Sequence, residues 1–184
     1  MTAGLPVLVG YATAAGSTQG VAERIAGRLR EAGLSVTCAP VDPGLDPRAF
    51  CAWVLGSAVH GMAWLPSATD FLSRAAATPR PCWAFSVAGV SPSGPVRRWM
   101  TDQEVRRVQR GFPPGLALED HQLFAGVVDT TRVGWAGRAF WRALGGRPGD
   151  QRDWPAIDRW AAQVAAQLSV AATPASGQRA PRSG

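Results

Sequence analysis

The six residues Thr13-Ala14-Ala15-Gly16-Ser17-Thr18 place three hydroxyls around three small side chains, between an apolar run (5–12) and the start of a helical pattern. A helix N-terminus offers unpaired N–H groups and a partial positive charge, so a loop of this kind suits an anion. Thr13, Ser17 and Thr18 add donors, and Ala14, Ala15 and Gly16 let the backbone approach a ligand closely. The loop holds no basic residue, so a phosphate here would be bound by neutral donors. The whole chain lacks lysine, which removes a phosphate-loop ATPase and lysine Schiff-base chemistry. Gly10, Gly16 and Gly20 do not have the G-x-G-x-x-G spacing of a dinucleotide loop. The plain alternative is a strand-to-helix turn, with Ser17 or Thr18 as N-cap.

Two further residues could do chemistry beside such a ligand. His60, followed by Gly61, could donate a proton or be an ordinary surface histidine. Trp64 could stack on a flat ring or pack beneath the next helix. His121 begins an apolar run and reads as structural. Cys38, Cys51 and Cys82 sit in apolar runs, match no zinc spacing and read as buried thiols. Asp150 and Asp153 stand at a helix start, where capping suffices. No metal cluster and no nucleophile–base constellation emerges, so the expectation is no metal.

Formal net charge is +6, all of the positive charge being arginine. Arg97, Arg98, Arg106, Arg107 and Arg110 crowd one segment. Such a cluster can meet nucleic acid, anionic lipid or an acidic partner, or be a solvated arginine-rich face. No nucleic-acid motif accompanies it, so a nucleic-acid partner is not expected. Trp99, with Met100 and these arginines, could touch a flat substrate or a membrane surface, or cover the sheet. The expected compartment is the cytoplasm, since no apolar stretch spans a bilayer and no signal sequence opens the chain. Contact with the inner face of the membrane stays open.

The elements that must position these residues alternate along the chain. Strands are expected at 5–12, 34–41, 51–59, 82–90 and 121–129, the third and fourth as continuous apolar runs. Helices are expected at 16–32, with Gly33 as its stop, and at 66–77, 95–111, 133–146 and 153–168, the last capped by Asp153. Five strands alternating with helices predict an α/β fold, a five-stranded parallel sheet with helices on both faces, as one domain over 1–168. Residues 169–184 are rich in Ala, Pro, Ser, Gly and Arg and read as a disordered tail. Ligands of such sheets sit beyond the carboxyl ends of the strands, where strand order reverses. That brings the loops 12–18, 57–65 and 86–94 to one site.

A phosphate loop of hydroxyls and small residues, followed by this order of elements, resembles the flavodoxin-like family. The segments "YATAAGSTQGVAERIA", "WVLGSAVHGMAWLPSATDFL", "FSVAGV", "HQLFAGVVD" and "GGRPGDQRDWPAIDRWA" are similar to the branch that includes menaquinone-dependent protoporphyrinogen oxidase. The resemblance runs from about Val7 to Leu168. It implies a flavodoxin-like fold and FMN as cofactor, with Thr13 to Thr18 on the phosphate. Ser57, Ala58, Val59, His60, Gly61 and Trp64 would lie along one side of the isoalloxazine, and Ser86, Val87, Ala88 and Gly89 along the other. Pro92 to Leu118 takes the place of the family oxidase's basic segment, with Arg97, Arg98 and Trp99 toward a substrate. The function implied is oxidation of a conjugated small molecule, with a quinone or another acceptor. The alternatives are an electron carrier between redox-protein partners, or a domain that binds protein alone.

Overall fold

In the computed structural model the described residues are 4–88, 103, 105–128 and 149–172. The first strand, β1 (Val7–Ala12), leads through the small-residue loop into α1 (Ser17–Glu31) and β2 (Val36–Pro40). Then follow β3 (Ala52–His60), β4 (Ala63–Trp64), α2 (Pro66–Ala75), β5 (Cys82–Ala88) and β6 (Leu118–Ala125). The short strands β7 (Val127–Val128) and β8 (Gly149–Asp150) pair with each other, and α3 (Trp154–Ala172) closes the described chain.

Five strands form the expected parallel sheet, in the order β2-β1-β3-β5-β6, with β4 folded back antiparallel on β3. The alternation within each strand builds two apolar layers. Val7 and Val9, with Ala52, Val54, Trp83, Phe85 and Val87, meet α1 and α3 on one face. Leu8 and Ala12, with Trp53, Leu55, Cys82 and Ala84, meet α2 and Val108 on the other. β2 and β3 lie on opposite sides of β1, so the strand order reverses at the carboxyl ends of β1 and β3. That is where a ligand is accommodated.

α1 packs through Val21, Ala22, Ile25, Ala26 and Leu29, all buried. It ends as its sequence requires. Gly33 takes φ +84°, its N–H donates to the Arg30 carbonyl at 2.9 Å, and the Leu34 N–H donates to the Leu29 carbonyl at 3.1 Å. These two bonds satisfy carbonyls that the helix end leaves open. Asp158 of α3 clamps α1 by accepting from Arg24 Nε at 2.7 Å and Arg28 Nη2 at 2.6 Å. Those two guanidinium hydrogen bonds hold its carboxyl well below the usual carboxylate range. Asp153 caps α3, its Oδ1 accepting from the Ala156 N–H at 3.0 Å.

Three expectations are corrected. Neither Ser17 nor Thr18 caps α1: Gly16 is the N-cap, at φ +84°, and no side chain bonds the helix end. A left-handed turn at this position favours glycine. The strand expected at 121–129 starts earlier, at Leu118, and stops at Ala125, because Gly126 breaks the pairing and Val127–Val128 turns to β8. The last helix also runs past Leu168, through Ala172. Its added turn is Ser169-Val170-Ala171-Ala172, and the Ser169 hydroxyl donates to the Ala165 carbonyl. The rest of the expected tail lies outside the described residues, as do the expected helix at 133–146 and most of that at 95–111. Within the latter, residues 105–109 are helical and Val108 is buried.

Candidate functional site

The loop leaving β1 is closed by its own residues. Thr13 Oγ1 accepts from the Gly16 N–H at 2.9 Å, which curls 13–16 into a turn before α1 begins. No side chain caps α1 and no acidic residue stands in its first turn, so the helix presents open N–H groups to the mouth of the sheet. Thr18 is 0% exposed, yet its Oγ1 has no hydrogen-bond partner among the described residues. A buried hydroxyl without a partner is costly, and it marks a place where an acceptor or donor from outside belongs. Unpaired first-turn amides and a buried hydroxyl, with no carboxylate in the first turn, have the chemistry that a phosphate monoester would need. FMN fits this loop.

The sheet brings a second element beside it. β3 and β4 form a hairpin whose two turn residues, Gly61 (φ 58°) and Met62 (φ 65°), are both left-handed. Two-residue hairpins favour such turns because their twist matches the strands. For Met62 the conformation is strained, by about 1–2 kcal/mol, and its side chain is 55% exposed. His60 is exposed at the end of β3, and Ala58 and Val59 are half-buried behind it. The backbone of 57–61 therefore borders the reversal point, as expected.

The side chains of Ser57, Trp64 and Ser86 do not. Ser57 Oγ accepts from the Leu65 N–H at 3.0 Å and donates to the Ala58 carbonyl at 2.9 Å, fixing the entry to α2. Trp64 is buried, and its indole N–H donates to Ser86 Oγ at 2.8 Å. Its ring packs edge-on against Phe112 (centroids 4.7 Å apart) and His121 (5.8 Å). Trp64 shares an apolar layer with Ala68, Phe71 and Leu72 of α2, in line with the reading that packs it beneath the next helix. The indole is committed to the core and is not a stacking platform. Val87 and Ala88 end β5, buried, at the same edge of the sheet, and Gly89 lies outside the described residues.

His121 is structural, as expected. It is 8% exposed, stacks on Phe112 and shares a 2.8 Å hydrogen bond between its Nε2 and Ser86 Oγ. Burial pushes its pKa down to about 4, with Asp120 opposing. Burial raises the thiol pKa of all three cysteines, which holds them as thiols. Asp150 is paired with Arg152 and so held at about 2, with no acid–base part.

Two features near the loop escaped the sequence. Gly126 lies against it: a Cβ there would meet Val87 Cγ1 at 2.8 Å and Ser17 Oγ at 3.3 Å. Its signal was a glycine inside an apolar run, which marks a close backbone approach. Arg152 reaches over Gly20 in the first turns of α1, where its Nη1 would lie 2.5 Å from an added Cβ. Its guanidinium is bound by Asp150 and lies 4.4 Å from the centre of the Trp154 ring. Nothing in the local sequence of either segment announces that contact.

Arg97, Arg98 and Trp99 lie outside the described residues. Their neighbours Arg106, Arg107 and Arg110 are exposed and form no ion pair among the described residues. Arg107 Nη1 donates to Met62 Sδ, which ties this basic segment to the hairpin tip. Among the described residues no helix is long and apolar enough to cross a membrane.

Comparison with known proteins agrees with this geometry. The flavodoxin domain family model matches residues 8–148. No curated protein sequence matches the chain. A flavodoxin from the domain Archaea superposes with TM-score 0.55 at 14% identity, covering 90% of this chain and 99% of that one. The flavodoxin of Streptococcus pneumoniae TIGR4 superposes at 0.54 with 14% identity, over 89% and 99% of the two chains. Rubredoxin oxygen:oxidoreductase from Desulfovibrio gigas gives 0.52 at 16% identity, over 92% of this chain and 38% of that one. Identities this low speak to the fold alone. With the family model covering most of the sequence, the chain belongs to the flavodoxin-domain family, and its cofactor is FMN.

Proposed function

We propose that the chain is an FMN-dependent oxidoreductase of the protoporphyrinogen-oxidase kind, which removes two hydrogens from a conjugated, anionic small molecule. A quinone or another acceptor takes up the electrons. The observation that carries this reading is the placement of Arg106, Arg107 and Arg110. They are exposed, without carboxylate partners among the described residues, and anchored through Arg107 to the hairpin at the reversal point. Unpaired cations beside a cofactor edge raise the local concentration of an anionic substrate.

The chain's own residues have separate tasks. The first turn of α1, with Thr13, Ser17 and Thr18, holds the phosphate. The β3–β4 hairpin and the ends of β5 and β6 wall the ring system and exclude water from one side. His60, exposed at the rim, can take up or release the proton that accompanies electron transfer to or from a substrate. Bound FMN supplies the acceptance and release of two electrons, which no side chain here can do.

A second reading, a carrier that shuttles electrons between proteins, is favoured by Met62. An exposed apolar side chain at the hairpin tip, beside Arg107, suits contact with an acidic protein partner. The test separates the two. The visible spectrum of the purified protein is recorded and the released flavin identified by chromatography. The flavin is then reduced anaerobically, either by a dihydro polycarboxylate that gains conjugation on losing two hydrogens or by a reductase. Rapid bleaching by the small molecule, slowed by salt and by R106E/R107E/R110E, supports the oxidase. Bleaching by the reductase alone supports the carrier, and a protein that binds no FMN overturns both.

A further inference from the structure

Trp64 and Ser86, two residues expected at the cofactor, form a buried chain with His121. The Trp64 indole N–H donates to Ser86 Oγ at 2.8 Å, and Ser86 Oγ lies 2.8 Å from His121 Nε2. Ser86 is 0% exposed, Trp64 5% and His121 8%. Ser86 Oγ thus accepts from the indole and shares its second hydrogen bond with the imidazole, whose tautomer sets the direction of that bond. The three side chains come from three strands: Trp64 belongs to β4, Ser86 to β5 and His121 to β6. Phe112 closes the outside, stacked on the imidazole (centroids 5.4 Å apart, planes at 27°) and edge-on to the indole.

The pairing of β4 explains what the chain can do. β4 has two residues and pairs only with β3, through Val59↔Trp64 and His60↔Ala63. Its turn carries a strained methionine. β3 is held by β1 and β5 over 52–58, but Val59, His60 and β4 lie beyond that pairing, so the end of the hairpin needs a tether of its own to the sheet. The Trp64 hydrogen bond ties it to β5, beside the bond of the Leu65 N–H to Ser57 Oγ on β3 itself. We infer that Trp64, Ser86 and His121 are positioning residues which latch the β3–β4 hairpin, and with it His60, against the carboxyl edge of the sheet. The inference rests on the reading that the hairpin flanks the cofactor, and adds to it a device outside the cofactor's own contacts. None of the three side chains need touch FMN.

The test uses the full chain in cofactor-free form and then with FMN. Trp64→Phe removes the donor and keeps an aromatic ring. Ser86→Ala cuts the chain at its centre, and His121→Gln keeps a polar group that can reach Ser86. Amide hydrogen exchange at 59–64 is compared with that of β1 in the cofactor-free protein. Exchange in the hairpin should rise about tenfold in Trp64→Phe and Ser86→Ala, the scale of one buried hydrogen bond, while β1 is unaffected. His121→Gln should stay close to wild type. FMN affinity, read from flavin fluorescence, should fall about tenfold in the first two variants. Unchanged exchange at 59–64 in Trp64→Phe overturns the latch, and so does acceleration spread equally over β1. Should Ser86→Ala fail to fold, Trp64→Phe alone decides. Wild-type protein that binds no FMN would sink the cofactor reading while the exchange result still judges the latch.

Discussion

The ring of Phe85 closes over the backbone of Gly56, its register partner on the neighbouring strand, so that a Cβ on Gly56 would fall inside three ring carbons. Phe85 is fully buried and cannot swing away, because Trp160 and Phe124 pack against its other sides. Gly56→Ala should therefore destabilise the protein by about 2–3 kcal/mol, through forced repacking of a filled core. A urea melt showing a lower midpoint at unchanged slope would bear this out. An unaltered midpoint would mean that the ring is free to move.

Thr18 separates folding from binding. Its Oγ1 is buried and unpartnered among the described residues, so Thr18→Val removes a desolvated hydroxyl and keeps the shape. Stability of the cofactor-free protein should hold or rise by up to about 1 kcal/mol. FMN affinity should fall at least tenfold as one phosphate donor is lost. Thermal melts without FMN and fluorescence titrations with it measure the two effects. A clear loss of cofactor-free stability would show that the hydroxyl has a partner within the protein.

His121 should set the pH dependence of stability on the mildly acidic side. The unfolded histidine takes up its proton near pH 6.5, the folded one only near pH 4. Between those values the unfolded state binds more protons, so stability falls as pH is lowered. From pH 7 to pH 5 the loss should be about 2 kcal/mol. His121→Gln should remove that component. Asp150 and Asp158, whose pKa values are lowered by arginine partners, lose their contribution only at more acidic pH and leave this window clear. Urea melts at pH 7 and pH 5 on both proteins give the comparison. Equal losses in the two would assign the effect to other groups.

What the sequence made legible was whatever is encoded locally or by period. Three of the five parallel strands follow from apolar runs expected at 5–12, 51–59 and 82–90, and the turn into α1 from the small residues after the first of them. The cap of α1 was misplaced because serine and threonine favour that position in general, whereas here Thr13 and the left-handed Gly16 complete the turn first. Trp64 was ambiguous in principle. An indole beside a loop can face either way, and the partners that decide it, Ser86 and His121, arrive from β5 and β6. The end of β6 was missed because Gly126 sits in a run apolar enough to pass for one strand. Contacts between distant segments, such as Arg152 with Gly20, depend on the assembled fold and have no local signature.

That last contact can be measured as a coupling. Glycine inside a helix costs about 0.5–1 kcal/mol relative to alanine, so Gly20→Ala alone would ordinarily stabilise α1. Here the new methyl meets Arg152 Nη1, which is held by Asp150 and stacked on Trp154. Displacing the guanidinium gives back part of that stacking, so Gly20→Ala should leave stability near the wild-type value. Arg152→Ala alone should cost about 1 kcal/mol, from the lost cation–π contact and the buried stem. In the Arg152→Ala background Gly20→Ala becomes stabilising by the full helical amount. The double variant should thus exceed the sum of the singles by about 0.5–1 kcal/mol, a favourable coupling readable from four urea melts. Strict additivity would mean that Arg152 does not rest on α1 in solution.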